Sequence, residues 1–463
     1  MAKINVAEVI NNSKFNRFHL SLLLWSFLII AFDGYDLVVY GTVVPILIEQ
    51  WNLTPVEAGA MGSYGLFGMM FGAIFFGILA DRIGRKKVIL VTVVLFSLFT
   101  ILCGFAETPT LFSIFRFLAG LGLGGIMPNV IALLTDYAPK SIKGTIVAIV
   151  LCGYSVGGIL APTLGIALIP TLGWESIFWI AGLPLLVLPL MYKQLPETAS
   201  YLIKRGDKKQ LFATLSKVNP SLKFNLDDEV IALPESASKV PVVGLFKEKR
   251  ALSTLMFWVA FFSCLLMVYG LNTWLPKLMI EAGYGLNSSL AFLIALQGGA
   301  IIGSLIIGPL ADKHGFKKML VPMYASGAIA LSLLGFGGNE VVIFILVAIA
   351  GAATIGSQNI VQAYVSQYYP AYIRSTALGM ASGIGRIGGM LGPILGGFLL
   401  TIALPLQMNF IAFAIFGLIA AIALAVVPVK HAHKELTESD NESKETHNVS
   451  PANHTELEVH KLL

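Results

Sequence analysis

Twelve apolar runs, each about 20 residues long, leave this chain few ways to fold. A run of that length crosses a hydrocarbon core of about 30 Å as a helix. In lipid, only helices and closed barrels satisfy their own backbone groups. Barrel strands alternate polar and apolar residues, and these runs do not, which leaves an all-α membrane protein. Charged residues are 12% of the 463, against about a quarter in a soluble domain. Spans are predicted near 20–45, 57–80, 88–106, 110–135, 144–168 and 174–192, then 253–275, 290–310, 319–337, 340–364, 375–401 and 405–428. The Lys-rich segment 193–252 reads as a loop between two six-helix bundles, 1–192 and 253–429. The polar tail 430–463 reads as disordered. The first run is too long for a cleavable signal peptide and has no small-residue cleavage site.

The loop charges set an orientation. With the N-terminus in the cytoplasm, cytoplasmic loops carry Arg82, Arg85, Lys86, Lys87, Lys140, Lys143, Lys313, Lys317, Lys318 and Arg374, besides the lysines of the central loop. The opposite side has Lys277 against Glu49, Glu107, Glu175, Glu281 and Glu340. Positive-inside therefore places both termini in the cytoplasm, and Trp51, Trp174 and Trp274 would form an outer aromatic belt. The net charge of +5 is thus a topology signal and gives no reason to invoke nucleic acid. Cys103, Cys152 and Cys264 lie inside apolar runs without paired spacing, so neither a disulfide framework nor a metal site is implied. The histidines, five of them in the tail, are too scattered for a metal site, and no cofactor is expected.

An internal repeat divides the chain. Gly77, Asp81, Arg82, Gly84, Lys86 and Lys87 recur as Gly308, Asp312, Lys313, Gly315, Lys317 and Lys318, 231 residues later. In the same register Pro139, Ile142, Lys143 and Thr145 meet Pro370, Ile373, Arg374 and Thr376. Gly157, Gly158, Pro162 and Gly165 meet Gly388, Gly389, Pro393 and Gly396. Both copies have one membrane orientation, so the halves are parallel repeats about the membrane normal.

The repeat also separates scaffold from chemistry, because residues serving one solute or one proton need not recur. Asp33, Asp36 and Arg116 map onto Cys264, Met267 and Val347, and Arg386 maps onto Ser155. A charge inside a span costs at least ~2.5 kcal/mol on insertion scales and faces the bundle interior or an aqueous cavity. Asp33 and Asp36, three apart, share a helix face. Desolvation and mutual repulsion both oppose ionisation of the second carboxylate, as a proton site requires. Arg116, near the outer end of its span, suits aspartate pairing or gating; structural pairing alone is the bland reading of the set. Arg386, deep in span 11, suits bidentate capture of a carboxylate, with a hydrogen bond to Gln358 as the structural alternative. Tyr35, Tyr64, Tyr154, Tyr269, Asn272, Gln297, Gln358 and Gln362 are candidate cavity residues. The Gly-rich stretches of spans 4, 5 and 11 read as close helix packing.

The Gly77 to Lys87 loop, its echo at Gly308, the Arg116-x-x-x-Gly120-x-Gly122-x-Gly124 pattern and the Gly157-Gly158-x-x-x-Pro162 pattern resemble the major facilitator superfamily over residues 15–428. Asp33-Gly34-Tyr35-Asp36 in span 1 and Tyr269-Gly270-Leu271-Asn272-Thr273-Trp274 in span 7 are similar to its aromatic acid:H+ symporter family. The resemblance implies two six-helix bundles related by pseudo-two-fold symmetry. It also implies a gate latch at Asp81, Arg82 and Arg85, with Asp312 and Arg374 in the second copy, where Phe316 replaces the arginine. The expectation is a monomeric proton-coupled symporter of a bacterial inner membrane, importing an aromatic carboxylate by alternating access. The Leu195-Pro196-Glu197-Thr198 stretch is similar to sugar and organic-ion porters, so a sugar or nicotinate porter is the alternative within carriers. A non-transporting solute sensor is the alternative outside them. No nucleophile–base constellation points to an enzyme.

Overall fold

The computed structural model describes residues 3–222, 224–225, 227–231, 242–429 and 432; apart from Ala432, the tail expected to be disordered lies outside them. The membrane-spanning helices are α1 (Arg17–Gln50), α2 (Pro55–Ile83), α3 (Arg85–Cys103), α4 (Pro109–Tyr137), α5 (Lys143–Leu172), α6 (Glu175–Gln194), α7 (Ala251–Glu281), α8 (Leu286–His314), α9 (Phe316–Leu334), α10 (Glu340–Tyr368), α11 (Ala371–Thr401) and α12 (Leu406–Val426). Eleven are long and apolar enough to cross a membrane by composition alone; α9, 19 residues long, completes the second bundle. Local chemistry sets several starts. Thr54 accepts from the Glu57 amide while Glu57 reaches back to Thr54, a capping box with Pro55 at the first helical position. Thr108 and Asn339 cap α4 and α10 more simply, their side chains accepting from the amides of Leu111 and Val341.

The repeat is built into the packing. A Cβ on Gly157 would collide with the Ala31 carbonyl, and one on Gly388 with the Phe262 carbonyl. These contacts, α5 on α1 and α11 on α7, are the same contact 231 residues apart. Gly84 and Gly315 likewise turn from α2 to α3 and from α8 to α9 with φ of 98° and 93°, a conformation that glycine adopts at no steric cost. Small residues let helix backbones approach where lipid gives no hydrophobic drive.

Three features differ from the sequence expectations. The helix α6 breaks at Ala181–Gly182 into Glu175–Ile180 and Leu183–Gln194. The segment 193–252 is partly folded: it holds helices Ala199–Arg205 and Lys208–Val218, strand β2 (Glu229–Ile231) and a 3-10 turn Val242–Phe246. β2 pairs in parallel with β1 (Lys3–Asn5), and Asn16 donates to the carbonyls of Lys217 and Val218, so the N-terminal segment docks on this linker. Charge and polarity marked these residues as outside the bilayer, but not as unfolded. Third, Trp274 is fully buried, and Trp174 is buried with its indole N–H on Gln50. They brace helices rather than belt the surface.

Candidate functional site

The ends of the bundles differ. At the end opposite the Lys- and Arg-rich loops (the basic end), the halves are packed shut. Ser63 of α2 donates to the Met390 carbonyl of α11 at 2.6 Å. A Cβ on Gly41 would strike the Asn272 carbonyl, and one on Gly59 the Pro393 carbonyl. Near mid-membrane, on the basic-end side of this seal, lies a cavity of about 140 Å³. A cavity of roughly 150 Å³ holds a benzene ring, so this one fits a single ring.

Both bundles line it. Leu66, Met69, Leu123, Met127, Phe261, Leu265, Ile301 and Ile355 supply apolar walls. Asp33, Tyr154, Tyr269, Gln358, Gln362 and Arg386, each a candidate site residue on sequence, supply polar groups; Ser155, Ser304, Asn359 and Ser382 were not candidates. Two signals pointed that way: Ser155 is the repeat partner of Arg386, and Asn359 adjoins Gln358. A π-helical stretch, Ala352–Gly356, interrupts α10 one residue before Ser357 and sets the facing of Gln358 and Asn359.

The two aspartates have separate environments. Asp36 accepts two bonds of 2.9 Å from one Arg116 terminal nitrogen and a third of 2.8 Å from Thr100. The pair is sealed from solvent, with side-chain exposures of 6% and 1%. Asp33, equally buried, has no side-chain hydrogen bond and no ion pair within 4 Å among the described residues. It lies within electrostatic reach of Arg386 across the cavity. A space of about 20 Å³ between Asp33, Asp36 and Arg116 is enough for one water. Arg386 donates to the Met69 carbonyl at 2.7 Å, not to Gln358, so α11 is tied to α2 by a side chain that also lines the cavity.

Other candidates lie elsewhere. Tyr35 points away and donates to the Ile177 carbonyl at 2.7 Å. Tyr64, nearly half exposed, sits on an outward-facing groove between α2 and α4. Asn272 accepts from Gln297 at 2.9 Å, a bond from α8 to α7 on the sealed side. Among the described residues, Asp81, Arg82, Arg85, Asp312 and Arg374 form no ion pair within 4 Å; Asp81, Arg82 and Asp312 are exposed. The N-terminus of α3 has no side-chain cap of its own, and Glu197 supplies one, accepting from the amides of Arg85 (2.8 Å) and Lys86 (3.2 Å). No cluster of metal-ligating side chains occurs among the described residues.

Two six-helix bundles around a mid-membrane cavity, lined by both, define a multi-pass membrane carrier. The Major Facilitator Superfamily model matches residues 26–301 and 289–454, and the chain belongs to that family: it is a transporter and not an enzyme. It is 48% identical over 434 residues to the benzoate transport protein of Acinetobacter baylyi, covering 92% of this chain and 93% of that one. It is 37% identical to the gentisate transporter of Corynebacterium glutamicum, covering 88% and 86%. Against the 4-hydroxybenzoate transporter PcaK of Acinetobacter baylyi it is 32% identical, covering 86% and 89%. Among solved structures, the partially occluded inward-open xylose transporter XylE from E. coli superposes with a TM-score of 0.69 at 16% identity, covering 89% of this chain and 100% of that one.

Proposed function

We propose that this chain is a proton-coupled symporter that imports an aromatic carboxylate, with Arg386 holding the carboxylate and Asp33 carrying the proton. The observation that carries this reading is a buried, unpartnered Asp33 facing Arg386 across a ring-sized cavity. A carboxylate buried without a partner is costly, and neutralisation removes the cost. Asp33 is therefore stable either protonated or opposite a free Arg386. A solute carboxylate that occupies the guanidinium bidentately removes that counter-charge and favours protonation of Asp33, which couples the two loads. The apolar walls and the tyrosines Tyr154 and Tyr269 suit the ring. The benzoate and gentisate relatives support that solute class.

Asp36, committed to Arg116, serves as the fixed end of a relay through the water-sized space, with Arg116 guarding the outer side. The two bundles, 1–192 and 253–429, rock as units, and the helix-end groups Asp81, Arg82, Arg85, Asp312 and Arg374 latch the basic end when it closes. The excess of Lys and Arg at that end supports a cytoplasmic position for it and for both termini, in a bacterial inner membrane. The acid is an anion at neutral pH, so one proton makes import electroneutral. Each further proton adds about 2.3 kcal/mol per 100 mV. The test is uptake of a radiolabelled panel (benzoate, hydroxybenzoates, muconate, nicotinate, glucose) with and without a protonophore. Aromatic acids should accumulate and the protonophore should abolish it; glucose uptake, or indifference to the protonophore, refutes the reading.

A further inference from the structure

At the basic end, an open cleft of about 730 Å³ is formed by the start of α1, the start of α3, the end of α6 and the linker helix Lys208–Val218. Its lining includes four cationic side chains, Arg17, Lys86, Lys193 and Lys217, and, among the described residues, no aspartate or glutamate. None of the four is in an ion pair among the described residues. Glu197 lies behind Lys86, but its carboxylate is occupied with the α3 amides. Lys86 is drawn to Glu197 more strongly than it is repelled by Lys217, but among the described residues no carboxylate lines the cleft beside Arg17, Lys193 and Lys217. Arg17, Lys193 and Lys217 are exposed.

The surroundings are those of a membrane interface. Tyr192, largely exposed, lies under Lys86 with the ammonium 4.9 Å from the ring centroid. Ser21 and the Trp25 indole donate to Gln194 Oε1 at 3.2 and 2.8 Å, joining α1 to α6 at the mouth. One to two turns deeper, Leu20 and Leu24 of α1 and Leu186 and Leu190 of α6 are exposed apolar side chains. A cationic rim above an aliphatic wall matches a phosphate headgroup with acyl chains attached. A free phosphate has no use for the wall.

We infer that this cleft binds the headgroup of an anionic phospholipid in the leaflet at the basic end, with its chains lying against Leu20, Leu24, Leu186 and Leu190. Basic pockets between membrane helices take such headgroups. The site clamps α1, α3, α6 and the linker helix together beside the Gly84 turn between α2 and α3. It does not depend on which solute is carried.

The test is native mass spectrometry of the full-length protein in detergent. It is titrated with phosphatidylglycerol, with phosphatidylethanolamine of the same acyl chains, and with inorganic phosphate. Phosphatidylglycerol should bind at lower concentration than phosphatidylethanolamine, and inorganic phosphate should neither bind nor displace it. The double variant Lys193→Gln/Lys217→Gln removes exposed charges only, and should bind phosphatidylglycerol roughly 30-fold more weakly at unchanged helix content. Unchanged phosphatidylglycerol binding by that variant, equal binding of the two lipids, or displacement by phosphate overturns the inference.

Discussion

Asp36 and Arg116 form a pair that should behave as one unit in stability. Each loses hydration on burial and gains it back only through the other: two 2.9 Å contacts, with Thr100 completing the aspartate. Removing one partner of a buried pair costs about 3–5 kcal/mol, because the remaining charge is stranded. Replacing both by apolar residues of similar size is often neutral or stabilising. Asp36→Leu and Arg116→Met alone should therefore each lower stability by about 3–5 kcal/mol, and the double variant should be more stable than either. Asp33→Asn, by contrast, removes a carboxylate with no partner to strand, and should change stability by less than about 1 kcal/mol. Unfolding of the purified variants in mixed micelles, followed by tryptophan fluorescence, measures all four. Additive losses in the double variant would refute the paired reading, and an Asp33→Asn loss as large as that of Asp36→Leu would refute the division of labour between the aspartates.

Arg386→Ala should raise the half-saturating concentration for benzoate about 10- to 100-fold, from loss of a charge-assisted contact of about 1.5–3 kcal/mol; competition uptake reads the shift, and Arg386→Lys should recover part of it. Gly157→Ala and Gly388→Ala should destabilise the protein by similar amounts, about 1–3 kcal/mol each, because each methyl meets the corresponding carbonyl of Ala31 or Phe262; thermal unfolding compares them. Glu197→Gln should cost about 1 kcal/mol through weaker capping of α3, with hydrogen exchange rising first in the initial turn of that helix.

Much of the architecture was legible because the bilayer fixes helix length and the repeat fixes the pairing of halves. The Gly157 and Gly388 contacts and the Gly84 and Gly315 turns follow from one register. Facing was harder to read. Tyr64 and Tyr154 are the same residue type in similar apolar helices, yet one faces outward and the other lines the cavity. Lipid tails are as apolar as a leucine packed in a core, so a span need not be amphipathic, and its sequence does not mark which side is inner. The asymmetric charges escaped this ambiguity, since an ionised group is too costly to point at lipid. Sequence could not divide the aspartate pair: that required seeing Arg116 and Thr100 claim Asp36 and leave Asp33 free. The linker helices were missed because polarity excludes a segment from the membrane without saying how it folds.

The central claim is that Asp33 couples the solute to a proton. Proteoliposomes containing wild type or Asp33→Asn are compared for radiolabelled benzoate uptake driven by an imposed pH gradient, and for counterflow between equal pH on both sides. The account predicts that Asp33→Asn loses gradient-driven accumulation and keeps counterflow; gradient-driven accumulation at the wild-type level in Asp33→Asn would contradict it.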